Sequence, residues 1–308
     1  MLSASVSDHL SSTELREEPG PCARVLSFCA HGPGTTRFDA LLYAWCMART
    51  VIAQISDPHI PGPGEASHPG LDPARNFAMA LNHAAQRCSH IVITGDCAAQ
   101  AGTDAEYEGF ARAIANPPKP LLLASGNHDE SEKMQRLYSL PSVNGRLDYA
   151  QDIPGGRIVV MDSSRLGRED GALDAAQCDW LDGVLSDGVP TIVSMHHPCI
   201  AIGGKALDGV RLDDDSIARL AAVVAQHSNV LAVVSGHAHM IFSAPFAGTT
   251  AYICPSSACE FNFRNGKIIY RNGPPQYMEY SWSDGGSGFL ARTITVTADS
   301  EWQEIPGQ

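Results

Sequence analysis

The chain has 308 residues, 44% of them hydrophobic and 18% charged, enough to bury a full core in one large α/β domain or two small ones. A formal net charge of −13, from 21 basic and 34 acidic residues with no Lys/Arg-rich stretch, argues against a long nucleic acid as partner. No apolar run approaches the roughly 20 residues that span a bilayer, so no membrane span is expected.

Residues 1–46 are rich in Ser, Gly, Pro and charge without a sustained period, and read as a disordered or non-native extension. Their acidic start, with Asp8, Glu14, Glu17 and Glu18, is unlike a signal peptide. Met47 reads as the natural start of a single domain over 47–308, because the apolar run Val51–Ser56 follows at once. The nine cysteines show no CxxC pair and read as reduced thiols in a cytoplasmic protein, with a disulfide framework in an exported chain as the alternative.

From there strand and helix patterns alternate. Asp72-Pro73 supplies a cap and a first-turn proline for a helix carrying Phe77, Leu81, Ala84 and Cys88 inward. Ile91–Thr94 reads as a strand, and Thr103 with Glu106 as a capping box opening a helix to about Ala115. Strands are expected at Leu121–Ala124, Arg157–Met161, Thr191–Met195 and Val230–Val234, with helices at Asp174–Leu185 and Ser216–Gln226 between them. Beyond His239 the pattern changes to short strands: Met240–Ala244, Thr250–Cys254, Gln276–Trp282 and Phe289–Val296. The α/β class follows, as two packed sheets with helices outside. The loop Ile200–Asp215 reads equally as a substrate cap or a solvated connection.

Five polar motifs each follow an apolar strand: Asp57-Pro58-His59, Gly95-Asp96, Gly126-Asn127-His128-Asp129, His196-His197-Pro198 and Gly236-His237-Ala238-His239. Residues just past the carboxyl ends of strands converge on one sheet edge, where ligands bind. The motifs hold six of the twelve histidines, and burying so many imidazoles and carboxylates without a cation would be costly. Asp, His and an Asn carbonyl suit divalent Mn²⁺, Fe or Zn²⁺, and the ligands are too many for one ion. Glycines before Asp96, Asn127 and His237 allow sharp turns where backbone approaches the cluster.

This order of motifs resembles the calcineurin-like metallophosphoesterase superfamily, most of all bacterial class III cyclic-nucleotide phosphodiesterases and related glycerophosphodiesterases. The likeness covers roughly residues 49–297 and includes Ala101-Gly102-Thr103, Met161-Asp162-Ser163-Ser164, Asp179-Trp180-Leu181 and Pro255-Ser256-Ser257. It implies a four-layer αββα sandwich and two divalent metal ions. One ion would be held by Asp57, His59 and His239, the other by Asn127, His196 and His237, with Asp96 bridging. A hydroxide between the ions would attack phosphorus in line. His128 would protonate the leaving oxygen or hold a phosphate oxygen, with Asp129 setting its tautomer, and Asn127, His128 and His197 would face substrate. A small phosphodiester is the implied substrate, 3′,5′-cyclic AMP first, with a glycerophosphodiester or broader ester range second and a non-catalytic scaffold third. A homodimer is compatible with the resemblance. Cys97 departs from the family's aliphatic residue after Gly-Asp and is read as a small core residue.

Overall fold

Residues 50–55 are apolar on both faces apart from Thr50 and Gln54, and they form a strand, β1 (Thr50–Ile55), in which only Val51 is less than buried. In the computed structural model, which describes residues 49–297 except 66, 68 and 69, β1 is the centre of a five-stranded sheet. It pairs in parallel with β2 (His90–Thr94), which pairs in parallel with β3 (Leu121–Ala124). On its other side β12 (Gln276–Trp282) and β13 (Leu290–Thr295) add antiparallel. A six-stranded sheet has the order β4-β5-β6-β7-β9-β8. Its strands are β4 (Tyr149–Ile153), β5 (Gly156–Val160), β6 (Thr191–Ser194), β7 (Val230–Ser235), β8 (Phe242–Phe246) and β9 (Thr249–Ile253).

The period of two along each strand sorts side chains into three cores. Ile52, Val92 and Leu122 of the first sheet meet Ile158, Val160, Ile192, Ala232 and Val234 of the second, with Tyr280 and Trp282 between them. The alternate residues Ala53, Ile55, Ile91, Ile93 and Leu123 pack under three helices, α1 (Pro73–Ala85), α2 (Asp104–Ala113) and α3 (Ser131–Tyr138). Val159, Val193 and Val233 turn the other way, toward α4 (Ala175–Leu185) and α6 (Asp214–Val224). The layers are therefore helix, sheet, sheet, helix, as the resemblance implies. Burying each large aliphatic side chain contributes roughly 1.5–3 kcal/mol.

Helix starts follow the capping chemistry. Asp72 accepts from the Arg75 amide at 3.1 Å, and Thr103 and Glu106 form the reciprocal box. The final α-helix starts at Asp214 rather than Ser216, because Asp213 accepts from the Ser216 amide at 2.8 Å and so fixes the cap. Five described α-helices and strands lie outside the sequence reading. They are α3, β4, the short α5 (Lys205–Asp208) inside the Ile200–Asp215 loop, and a hairpin of β10 (Glu260–Arg264) and β11 (Lys267–Arg271). The expectations for residues 1–46 and for a start at Met47 lie outside the described residues. Among the described residues no helix is long and apolar enough to cross a membrane.

Candidate metal centre

Parallel pairing within each sheet decides where the polar motifs go. β1, β2 and β3 run side by side and end together, as do β6 and β7. All five motifs begin within two residues of those ends, so their side chains gather from both sheets at one edge. The turns that aim them are strained. Of nine described non-glycine residues with positive φ, five are here: Asp57, His59, Asp96, His237 and His239. Such conformations cost about 1–3 kcal/mol each and persist where the surroundings over-determine them. Two glycines make the close approaches possible. A Cβ on Gly126 would lie 2.1 Å from Asp96 Oδ1, and one on Gly236 only 1.8 Å from Ser56 Oγ.

Two groups of donor atoms result, with Asp96 between them. In the first, His59 Nε2 is 3.0 Å from His239 Nε2, and His239 Nε2 is 3.4 Å from Asp57 Oδ1. In the second, His196 Nε2 and His237 Nδ1 each lie 3.0 Å from Asn127 Oδ1. Asp96 directs Oδ2 to His59 Nε2 at 3.5 Å and Oδ1 to His196 Nε2 at 3.4 Å. The proton on His196 Nδ1 goes to the Thr94 carbonyl at 2.8 Å, which leaves the Nε2 lone pair of the neutral ring pointed at two oxygens. Only a proton or a cation reconciles those acceptors, and the donor set of imidazole, carboxylate and amide oxygen fits a borderline-to-hard divalent metal.

Charge follows geometry. Burial pushes the Asp57 carboxyl up, but His239, His196 and His59 outweigh it and hold it well below the usual carboxylate range. Asp96 is likewise lowered, against burial, by His196, His59 and His128. Burial would lower His239, yet the Asp57 charge and hydrogen bond raise it to about 10. His196 is raised against burial by Asp96 and Asp57. Burial depresses His59 to about 4 and His237 to about 3. His239 thus holds a proton that a cation must displace, whereas His59 and His237 are ready to ligate.

The remaining motif residues divide. His128 is the most open, its side chain 31% exposed, with Nε2 at 3.8 Å from Asp96 Oδ2. Its Nδ1 donates to the Gln100 carbonyl at 2.8 Å. That contact corrects the expectation for Asp129, which does not set the His128 tautomer. The Asp129 carboxylate instead accepts from the amides of Cys97, Ala98 and Gly126, each at 3.0 Å, and so ties the Gly-Asp turn to the Gly-Asn-His-Asp turn. Burial and the nearby Asp96 charge push Asp129 up to about 6. His197 lies beside the centre. It is fully buried, with Nδ1 at 2.9 Å from Ser163 Oγ and Nε2 donating to the Glu169 carbonyl at 3.2 Å, and one of its ring nitrogens lies within 4.8 Å of ligand atoms of His196 and His237. Cys97 is a buried core residue.

Sequence reasoning passed over two residues that touch a site imidazole. Cys259 Sγ lies 3.5 Å from His239 Nδ1, and the Phe261 ring stacks on His239 with centroids 4.0 Å apart. The hairpin that starts just after Cys259 and carries Phe261 had a signal, since Asn265-Gly266 is a two-residue turn pair.

Residues 50–240 match the family model described as calcineurin-like phosphoesterase. A probable cyclic nucleotide phosphodiesterase of Synechococcus is 32% identical over 212 residues, 68% of this chain and 82% of its own length. A probable glycerophosphodiester phosphodiesterase GpdQ of Arcobacter nitrofigilis is 28% identical over 200 residues, 62% of this chain and 72% of its own. Among solved structures, a dimetal phosphatase from Danio rerio superposes with a TM-score of 0.56 at 14% identity, covering 80% of this chain and 99% of that one.

Proposed function

Because this chain belongs to the calcineurin-like phosphoesterase family, we propose that it hydrolyses a small phosphodiester with two divalent cations, 3′,5′-cyclic AMP being the first candidate. The observation that carries the reading is the position of Asp96, whose two oxygens face the two donor groups at 3.5 and 3.4 Å. Asp57, His59 and His239 would hold one ion, and Asn127, His196 and His237 the other, with Asp96 shared. Mn²⁺, Fe and Zn²⁺ all suit these donors.

Two cations there would polarise the phosphoryl oxygens and make water a nucleophile at neutral pH. The chain's own residues supply the rest. With Asp57 and Asp96 the only carboxylates in the assigned ligand set, the loaded site stays positive and attracts a phosphodiester to a protein of net charge −13. Gln100 holds the His128 ring by Nδ1 and leaves Nε2, 3.8 Å from Asp96 Oδ2, to protonate the leaving oxygen or hold a phosphate oxygen. The six described cysteines are free, in keeping with a cytoplasmic enzyme.

A glycerophosphodiester is the second reading, favoured by the likeness to GpdQ. The test is product formation from cyclic AMP and glycerophosphocholine side by side, with Mn²⁺ and after chelation. Metal-dependent cleavage with the higher kcat/KM on cyclic AMP is expected. Preference for glycerophosphocholine would keep the chemistry and replace the substrate. Chelator-resistant cleavage would overturn the reading.

A further inference from the structure

We propose that Cys259 is a positioning residue for His239, accepting a hydrogen bond from Nδ1 so that Nε2 stays aimed at the ion shared with Asp57 and His59. The inference rests on the two-cation reading above. With Nε2 donating its lone pair to a cation, a neutral imidazole carries its proton on Nδ1, and that N–H needs an acceptor. The atom on that side is Cys259 Sγ, at 3.5 Å. His239 is buried, and Phe261 covers one ring face at an interplanar angle of 17°. The Phe261 amide also donates to the His239 carbonyl at 3.1 Å.

The same short segment reaches Asp57, another ligand of that ion. Ser256 Oγ donates to the Asp57 carbonyl at 2.8 Å and accepts from the Cys259 amide at 3.3 Å. The Ser257 amide donates to the Ser56 carbonyl at 2.9 Å. Residues 256–261 therefore hold the Asp57 turn and the His239 turn in one register, with the thiol at the point where they touch the imidazole. Among the described cysteines Cys259 alone is not buried, so core packing does not account for its place. Sulfur is a weaker acceptor than the carboxylate or carbonyl oxygen that usually backs a ligating histidine. The ordering of metal affinity at this ion is thus carboxylate above thiol above methyl.

The test is titration of metal-free protein with Mn²⁺, followed by calorimetry and by the electron paramagnetic resonance of bound Mn²⁺. Wild type is expected to take up two ions. Cys259→Ala should weaken one of them by about 10–100-fold and leave the other unchanged. Cys259→Asp should restore or exceed the wild-type value. Cys259→Val, close in volume but without an acceptor, should behave as Cys259→Ala, and is read in its place if the alanine variant loses its folding transition. Unchanged affinity for both ions, or equal weakening of both, would overturn the role of Cys259 while wild type still binds two. Wild type that binds no Mn²⁺ would overturn the two-cation reading and this one with it.

Discussion

His196 presents Nε2 to the side-chain oxygen of Asn127 at 3.0 Å, with its Nδ1 proton already committed to the Thr94 carbonyl. Asp96 Oδ1 stands 3.4 Å from the same nitrogen. The ring nitrogen therefore carries either a proton or a cation.

Metal binding should accordingly release protons. His239 is pushed up to about 10, so its proton must leave before Nε2 can ligate, and His196 is raised above its ordinary value by Asp96 and Asp57. Affinity for Mn²⁺ should rise with pH, by about tenfold per unit for each proton displaced. Calorimetric titration in two buffers of different ionisation enthalpy reads the proton count. An affinity flat from pH 6 to 9 would show that the imidazoles are already neutral.

His128→Ala should act on leaving groups selectively. The ring is held at Nδ1 by Gln100, with Nε2 at 3.8 Å from Asp96 Oδ2. Turnover of an alkyl phosphodiester should fall about 10²–10⁴-fold, whereas a nitrophenyl diester, whose leaving group needs little protonation, should lose only a few-fold. Steady-state kinetics on both substrates decide it, and equal losses would assign the ring to phosphate binding instead.

Asp129→Ala should be a folding defect rather than a loss of acid catalysis. Removing the carboxylate leaves three amides, those of Cys97, Ala98 and Gly126, without their acceptor. At about 1–3 kcal/mol for each unsatisfied group, a loss of several kcal/mol is expected in urea unfolding of the metal-free protein. The ratio of turnover on alkyl and nitrophenyl esters should stay at its wild-type value in whatever fraction remains folded. A changed ratio would return Asp129 to the His128 tautomer.

Much of the centre was legible because the chemistry leaves few residue types to choose from. Asp, His and Asn immediately after an apolar strand can be read without coordinates, and the strand ends at Ile55, Thr94, Ala124, Ser194 and Ser235 put them together. The partners of those residues were not legible. His196 and His197 are adjacent in a bend just past β6, with ring centroids 4.9 Å apart, so no strand alternation tells their partners apart. One enters the centre and the other packs against Ser163 and the Glu169 carbonyl. Asp129 binds backbone amides that carry no sequence signature. In β4 only Tyr149 and Ile153 are buried, too few to set a period, and α3 has eight residues with Met134 alone buried.

The central claim is that Asp96 joins two cation sites into one catalytic centre. The most direct test is to add Mn²⁺ in equivalents to metal-free wild type and Asp96→Ala while measuring hydrolysis of a phosphodiester. Wild-type turnover should appear with the second equivalent, and Asp96→Ala should bind less metal and lose on the order of 10³-fold, about 4 kcal/mol at the transition state. Full turnover after one equivalent, or an unchanged rate in Asp96→Ala, would contradict it.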